Sequence, residues 1–200
     1  MKHLSRVPLL LLLTLTSCWV LTPQRDRDFP YRTGTLEYYD DGSLEGARLV
    51  EPTEIEGYPC RGWISFHPNG RIEACDLARD TKIVGHRLPE GTRLFLEPDG
   101  TLEDVWLGRD TVIDGIPCNG GGKIMAGFYP DGRLRYAFLV RDTEVQGVPC
   151  EASVLTEVSF HPDGKLAGCK LSRAFELDGV LLRRGEVIEL DREGHLKGRD

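Results

Sequence analysis

The sequence predicts an all-β protein, a repetitive antiparallel β-meander of about five units with a terminal stub; a small β-solenoid bent at the same glycines is the alternative. Three observations lead there. Gly42, Gly70, Gly100, Gly132, Gly164 and Gly194 recur with a period of about 30 residues, the mark of a repeat array. Apolar residues hold fixed columns around each of these glycines, mostly at steps of two, the period of a half-buried strand. Pro-Asn-Gly or Pro-Asp-Gly forms the turn in four units, which favours neighbouring antiparallel strands and hence the meander.

The first strand of the units carries Leu36, Ile64, Leu94, Ala126, Val158 and Ile188, then Tyr38, Phe66, Leu96, Phe128, Phe160 and Leu190 two residues later. The turn follows, as in His67-Pro68-Asn69-Gly70 and Tyr129-Pro130-Asp131-Gly132, where Pro presets one torsion and Gly accepts a positive φ. The second strand carries Ile72, Cys75 and Leu77 in one unit and Leu102, Val105 and Leu107 in the next. Arg79-Asp80-Thr81, Arg109-Asp110-Thr111 and Arg141-Asp142-Thr143 mark turns in which Asp caps backbone N–H groups. A second glycine column, Gly57, Gly85, Gly115, Gly147 and Gly179, predicts another bend or hairpin. Units change length by two residues, after this bend and before the next strand, so the inward face stays inward. The last unit is polar after Leu196 and reads as a cap.

Residues 1–17 have the basic start and short apolar core of a secretory signal peptide. That core is too short to span a bilayer. Leu15-Thr16-Ser17-Cys18 resembles a bacterial lipobox, which implies a lipidated Cys18 and a membrane-anchored envelope lipoprotein, at the outer membrane if the cell is Gram-negative. Residues 18–33 follow as the lipidated N-terminus and a polar tether, and 34–200 as a single β-repeat domain. The net charge of −7 argues against non-specific nucleic-acid binding and against a polybasic grip on lipid.

Tyr38-Tyr39-Asp40-Asp41-Gly42-Ser43-Leu44, Phe66-His67-Pro68-Asn69-Gly70-Arg71-Ile72 and Phe128-Tyr129-Pro130-Asp131-Gly132-Arg133-Leu134 resemble the turn signature of membrane occupation and recognition nexus (MORN) repeats. The period here is longer than in that family, and its Tyr-x-Gly-x-Trp core is absent. The resemblance implies an elongated antiparallel sheet of hairpins and roles in scaffolding, membrane-proximal binding or toxin neutralisation.

Besides Cys18 the cysteines are Cys60, Cys75, Cys118, Cys150 and Cys169. Cys60, Cys118 and Cys150 share a column with Leu88 and Leu182, so they read first as small core hydrophobes. Cys118 and Cys150, in adjacent units, are the preferred disulfide candidates, and Cys60 with Cys75 the second choice. The spacing offers no zinc site, and no cofactor is expected. His67 and His161 read as exposed turn residues. No serine elbow, phosphate-cradling loop or paired-His helix is present, so no catalytic residue is assigned.

Three departures from the repeat stand out as binding candidates. Gly120-Gly121-Gly122 lies in the segment between two units, where glycine permits close backbone approach. Trp63 and Trp106 fall by alternation on the face opposite the apolar columns, together with Phe138. The sequence therefore points to a non-catalytic envelope lipoprotein that binds or organises a protein partner. A cell-wall or carbohydrate-binding module, with Trp63, Trp106 and Tyr38-Tyr39 as a stacking platform, is the alternative. A hydrolase of unknown type is the second alternative.

Overall fold

The computed structural model describes residues 29–198. The expected signal peptide, Cys18 and most of the tether lie outside the described residues. Twenty strands are present among those described. The first units comprise β1 (Glu37–Tyr38), β2 (Leu44–Arg48), β3 (Thr53–Ile55), β4 (Tyr58–Phe66), β5 (Ile72–Leu77), β6 (Thr81–Ile83), β7 (His86–Leu88), β8 (Arg93–Leu96), β9 (Leu102–Trp106), β10 (Thr111–Ile113) and β11 (Ile116–Cys118). The remainder are β12 (Met125–Phe128), β13 (Leu134–Ala137), β14 (Thr143–Val145), β15 (Val148–Cys150), β16 (Val158–Phe160), β17 (Leu166–Lys170), β18 (Phe175–Leu177), β19 (Val180–Leu182) and β20 (Val187–Glu189).

A 12-stranded sheet runs in the order β1-β2-β4-β5-β8-β9-β12-β13-β16-β17-β20, with β3 added on β4. Each neighbouring pair is antiparallel, so the array is a meander and not the coils of a solenoid. The pairs β6–β7, β10–β11, β14–β15 and β18–β19 are separate two-stranded hairpins. β3 and the start of β4 make the equivalent hairpin of the first unit. Apolar residues of these hairpins, such as Ile55, Ile83, Ile113 and Val145, share one hydrophobic cluster with the inward columns of the sheet. The protein thus has two layers, a long sheet and a row of hairpins over one of its faces.

The two glycine columns make different turns. At Gly70 the His67 N–H donates to the Arg71 carbonyl (2.8 Å) and the Gly70 N–H donates to the His67 carbonyl (2.7 Å). Gly70 has φ +82, which completes a three-residue loop with a left-handed final residue. Asn69 Oδ1 accepts the Arg71 N–H, and Asp99, Asp131 and Asp163 repeat the contact. At the hairpin tips both central residues have positive φ, as in Asp114 (+49) and Gly115 (+81). That is the type I′ turn, whose twist matches two-residue hairpins.

The sheet register explains one irregularity in the apolar columns. Phe66 opposes Ile72 and Ser65 opposes Ala74, which leaves Glu73 unopposed in a β-bulge. Ile72 and Cys75 therefore both face the core although they are three positions apart. The Asp of each Arg-Asp-Thr triplet caps an N–H, as expected, but ten residues away at the base of the hairpin. Asp80, Asp110 and Asp142 accept from Glu90, Gly120 and Ala152 at 2.9 Å.

Neighbouring units are tied by two sets of side-chain bonds. At the hairpin tips Glu56, Asp114, Gln146 and Asp178 accept the N–H groups of Ile72, Leu134, Leu166 and Leu196 in the next sheet turn. Along the sheet turns Tyr39, His67, Tyr129 and His161 donate to the carbonyls of Phe66, Leu96, Phe160 and Leu190 in the next unit. His67 and His161 are therefore part-buried bridges, which corrects their expected exposure.

Both sets miss a rung in the middle of the chain. Val84 has no polar group to offer at its hairpin tip, and Glu97 takes the place of the bridging Tyr or His. There His86 Nε2 donates to the Gly132 carbonyl (2.8 Å), and its ring lies 5.7 Å from that of Phe128. Glu97→His restores a donor facing the Phe128 carbonyl. It should raise the urea unfolding midpoint by the equivalent of about 0.5–1.5 kcal/mol, and His67→Ala should lower it by a similar amount.

Candidate binding surface on the open face of the sheet

The face without hairpins is built by alternation. Residues between the inward columns point outward: Arg48 pairs with Trp63, Arg93 with Trp106, and Trp106 with Met125. Nearer the turns, Phe95 pairs with Asp104 and Gly127 with Tyr136. Glycine makes room for two of the rings. A Cβ on Gly46 would lie 2.8 Å from Trp63 Cζ2, and one on Gly127 would clash with the Tyr136 ring. Trp63 and Tyr136 consequently lie across the neighbouring strand instead of standing off it.

These side chains line two adjoining depressions. One, of about 680 Å³, is lined by Trp63, Phe95, Trp106, Arg61, Arg93, Asp76, Gly121 and Lys123. The other, of about 400 Å³, is lined by Met125, Tyr136, Phe138, Val154, Glu157 and again Lys123. The structure thus brings Trp63, Trp106 and Gly121 to one groove and Phe138 to the next, joined through Lys123. Phe95, Tyr136 and Lys123 were missed at the sequence level. Phe95 and Tyr136 occupy the outward columns of the same alternation, which was the available signal.

The groove holds its rings by polar contacts. Phe95 meets Trp106 edge to face at 4.9 Å. Arg93 lies 5.8 Å from the Phe95 ring and Lys123 Nζ lies 5.6 Å from the Trp106 ring. Arg93 pairs with Asp76 (3.2 Å) and Arg61 with Glu90 (2.8 Å). Lys123 has no ion pair among the described residues. Its φ of +57 is a left-handed conformation that disfavours a side chain, a form of strain that clusters at functional segments.

Two loops rim this face, and both are longer than their counterparts. Residues 119–124 and 151–157 replace the shorter connections at 89–92 and 183–186. The first contains Gly120-Gly121-Gly122. Gly120 lies against the Arg109 backbone, with no space for a Cβ, which gives it a packing role. Gly121 is a repeat feature: its N–H donates to Leu107 O as Gly91 N–H does to Leu77 O and Gly185 N–H to Leu171 O. The second loop presents Val154 and Leu155, the latter 90% exposed.

The cysteines sit in the core, away from this face, and all five are buried free thiols. Cys150 Sγ lies 2.6 Å from Cys169 Sγ, and Cys75 is in contact with Cys60. The Cys118 thiol donates instead to the Ile116 carbonyl (3.3 Å). The structure therefore places Cys169, and not Cys118, against Cys150.

No group of three or more His, Cys, Asp or Glu among the described residues could hold a metal ion. No helix among them is long and apolar enough to cross a membrane. Compared with protein-family models, with curated proteins and with solved structures, the chain matches none.

Asp104 is 8% exposed and anchors the second depression. It accepts from Tyr136 Oη (2.9 Å) and from Arg135 Nη2 (3.2 Å). Burial, then the hydrogen bond to Asp104 and its charge, pushes the Tyr136 phenol well above its usual value near 10. The folded state holds this proton more tightly than the unfolded chain. The resulting stability is complete below about pH 10 and is lost as pH rises through the folded value. Tyr136→Phe should cost about 1 kcal/mol at neutral pH. It should also flatten the fall of the urea midpoint as pH rises above about 10, read by circular dichroism.

Proposed function

We propose that the protein is a non-catalytic envelope lipoprotein whose open sheet face binds a protein partner. The observation that carries this is the co-location of Trp63, Phe95 and Trp106 in one groove, with Phe138 in the adjoining depression, both rimmed by the two loops that break the repeat. Half-buried aromatic residues in concave sites are the usual anchors of protein interfaces. The absence of metal-binding clusters among the described residues is consistent with a non-catalytic role.

Charge indicates the partner's chemistry. The whole chain carries −7, yet the larger depression is lined by Arg61, Arg93 and Lys123 against Asp76 alone. Glu90 and Asp76 already engage the two arginines, which leaves Lys123 as the cation of this depression with no ion pair among the described residues. The proposed ligand segment therefore presents an apolar or aromatic side chain beside a carboxylate. Trp106 Nε1 is enclosed and has no acceptor among the described residues. A carbonyl of the partner that reached it would satisfy it. The lipobox-like Leu15-Thr16-Ser17-Cys18 supplies the anchor in this proposal, and the polar stretch after it the tether. The MORN-like turns are consistent with a scaffolding role of this kind.

A second reading has its own support. Trp63 lies flat over Gly46, and a ring lying on a sheet presents one face as a stacking platform for a sugar.

One experiment separates them. A photo-crosslinking residue is placed at position 63, and as a control at position 112, which is exposed on a hairpin. The lipidated protein is then illuminated in its own envelope. A defined protein adduct from position 63 alone, lost in Trp106→Ala, is expected. Equal adducts from both positions, or none, would overturn the open face as the partner site. Retention on isolated wall polymer that disappears in a Trp63→Ala/Trp106→Ala variant would transfer the face to carbohydrate. Cys18→Ala should release the protein from the membrane fraction; continued membrane attachment would remove the anchor.

A further inference from the structure

We infer that the chain carries two built-in disulfide sites, Cys60 with Cys75 and Cys150 with Cys169, and keeps Cys118 as a thiol. The inference concerns the core and is independent of the binding reading. Its first support is positional. Cys60, Cys118 and Cys150 stand eighteen residues after a turn glycine, whereas Cys75 and Cys169 stand five after one. In the structure the first column meets the second column of the following unit. Cys60 opposes Leu77 in the β4–β5 ladder, and Cys150 opposes Leu171 through an isolated bridge. Cys75 and Cys169 lie two residues before those leucines, on the same inward face.

Both cysteines of the second column thus meet a cysteine of the first. Where Cys118 takes the first column, opposite Leu139, the second column holds Ala137. Where Leu88 takes it, the second column holds Val105. The sulfur contact agrees: Cys150 Sγ and Cys169 Sγ are 2.6 Å apart, too close for two non-bonded sulfurs and one small movement from a bond of about 2.05 Å. Each bond would staple a hairpin to the sheet strand of the next unit, one near each end of the array.

The chemistry is thiol–disulfide exchange with an external disulfide, either a small one such as oxidised glutathione or a dithiol oxidoreductase. One cysteine thiolate attacks the oxidant's disulfide and releases one oxidant thiolate. The partner thiolate then attacks the mixed disulfide and releases the second. Two protons pass from the protein thiols to the departing thiolates, and the oxidant takes up two electrons. All four cysteines are buried, and the thiol–thiol hydrogen bond, then burial, hold the Cys75 and Cys150 thiols far above the ordinary thiol range. Exchange therefore takes place while the chain folds, before the core closes, and the finished bonds resist reductant in the native protein.

The full chain is reduced, unfolded, refolded with oxidised glutathione, alkylated after renewed unfolding, and digested with trypsin without reduction. Arg61, Arg71 and Lys165 separate the paired cysteines into different peptides. The expected mass spectrum shows Cys60 linked to Cys75, Cys150 linked to Cys169, and Cys118 alkylated. A link between Cys118 and Cys150, or alkylation of all four paired cysteines, would overturn the inference. Ala137→Cys supplies a second test that needs no loss of structure. It should create a third link, to Cys118, and failure to do so would refute the equivalence of the columns.

Discussion

Neither layer of this protein can bury its apolar side without the other, and the rest of the structure depends on that. A two-residue-turn hairpin of three-residue strands is marginal alone, and an open sheet leaves both faces wet. Stacking the hairpins on the sheet joins Ile55, Ile83, Ile113 and Val145 to Ile64, Leu94, Val105 and Leu171 in one cluster. The need to cover this row fixes the bulges that keep Ile72 and Cys75 on one side. It also fixes the type I′ tips that turn each hairpin back within two residues. Stability in such an array is a sum of units and nearest-neighbour contacts. The side-chain bonds from one turn to the next are those neighbour terms in residue form.

Covering one face leaves the other free of hairpins, and the proposed binding groove lies there. The regular units provide a rigid, pleated platform. The groove is shaped where regularity fails: by the long loops 119–124 and 151–157, the left-handed Lys123, and glycines at positions 46 and 127 that let rings lie down. The missing rungs at Val84 and Glu97 fall in the same middle stretch of the array. There His86 joins the second hairpin to the fourth sheet turn. The surface that carries the aromatic groove is thus supported by a join of different design from the joins on either side.

Much of this surface was legible from alternation. Trp63, Trp106 and Phe138 follow from counting in twos from the inward columns, and the structure places them on one face. Counting alone does not show that two rings lie down over glycine, since that depends on which residues of the paired strand stand opposite or diagonal to them. Lys123 carried no sequence signal, because its place above Trp106 comes from the path of an irregular loop. The cysteines illustrate the same limit. Their columns were visible, but Cys118 and Cys150 are neighbours by unit and not by contact. Register, with a half-unit offset between hairpin and sheet, sets Cys150 against Cys169.

The sequence by itself determined the local geometry: where the chain turns, which residues face inward, and that the units are strands, with the choice of an antiparallel meander over a solenoid left to the strand pairing. These follow from torsional preference and from a side-chain period of two, both properties of a few consecutive residues. Tertiary structure alone decided that the second glycine column caps separate hairpins, that these hairpins lie over one sheet face, and that His67 and His161 bridge units. Those outcomes depend on contacts between residues about 30 positions apart, and a turn signal cannot specify what will pack against it.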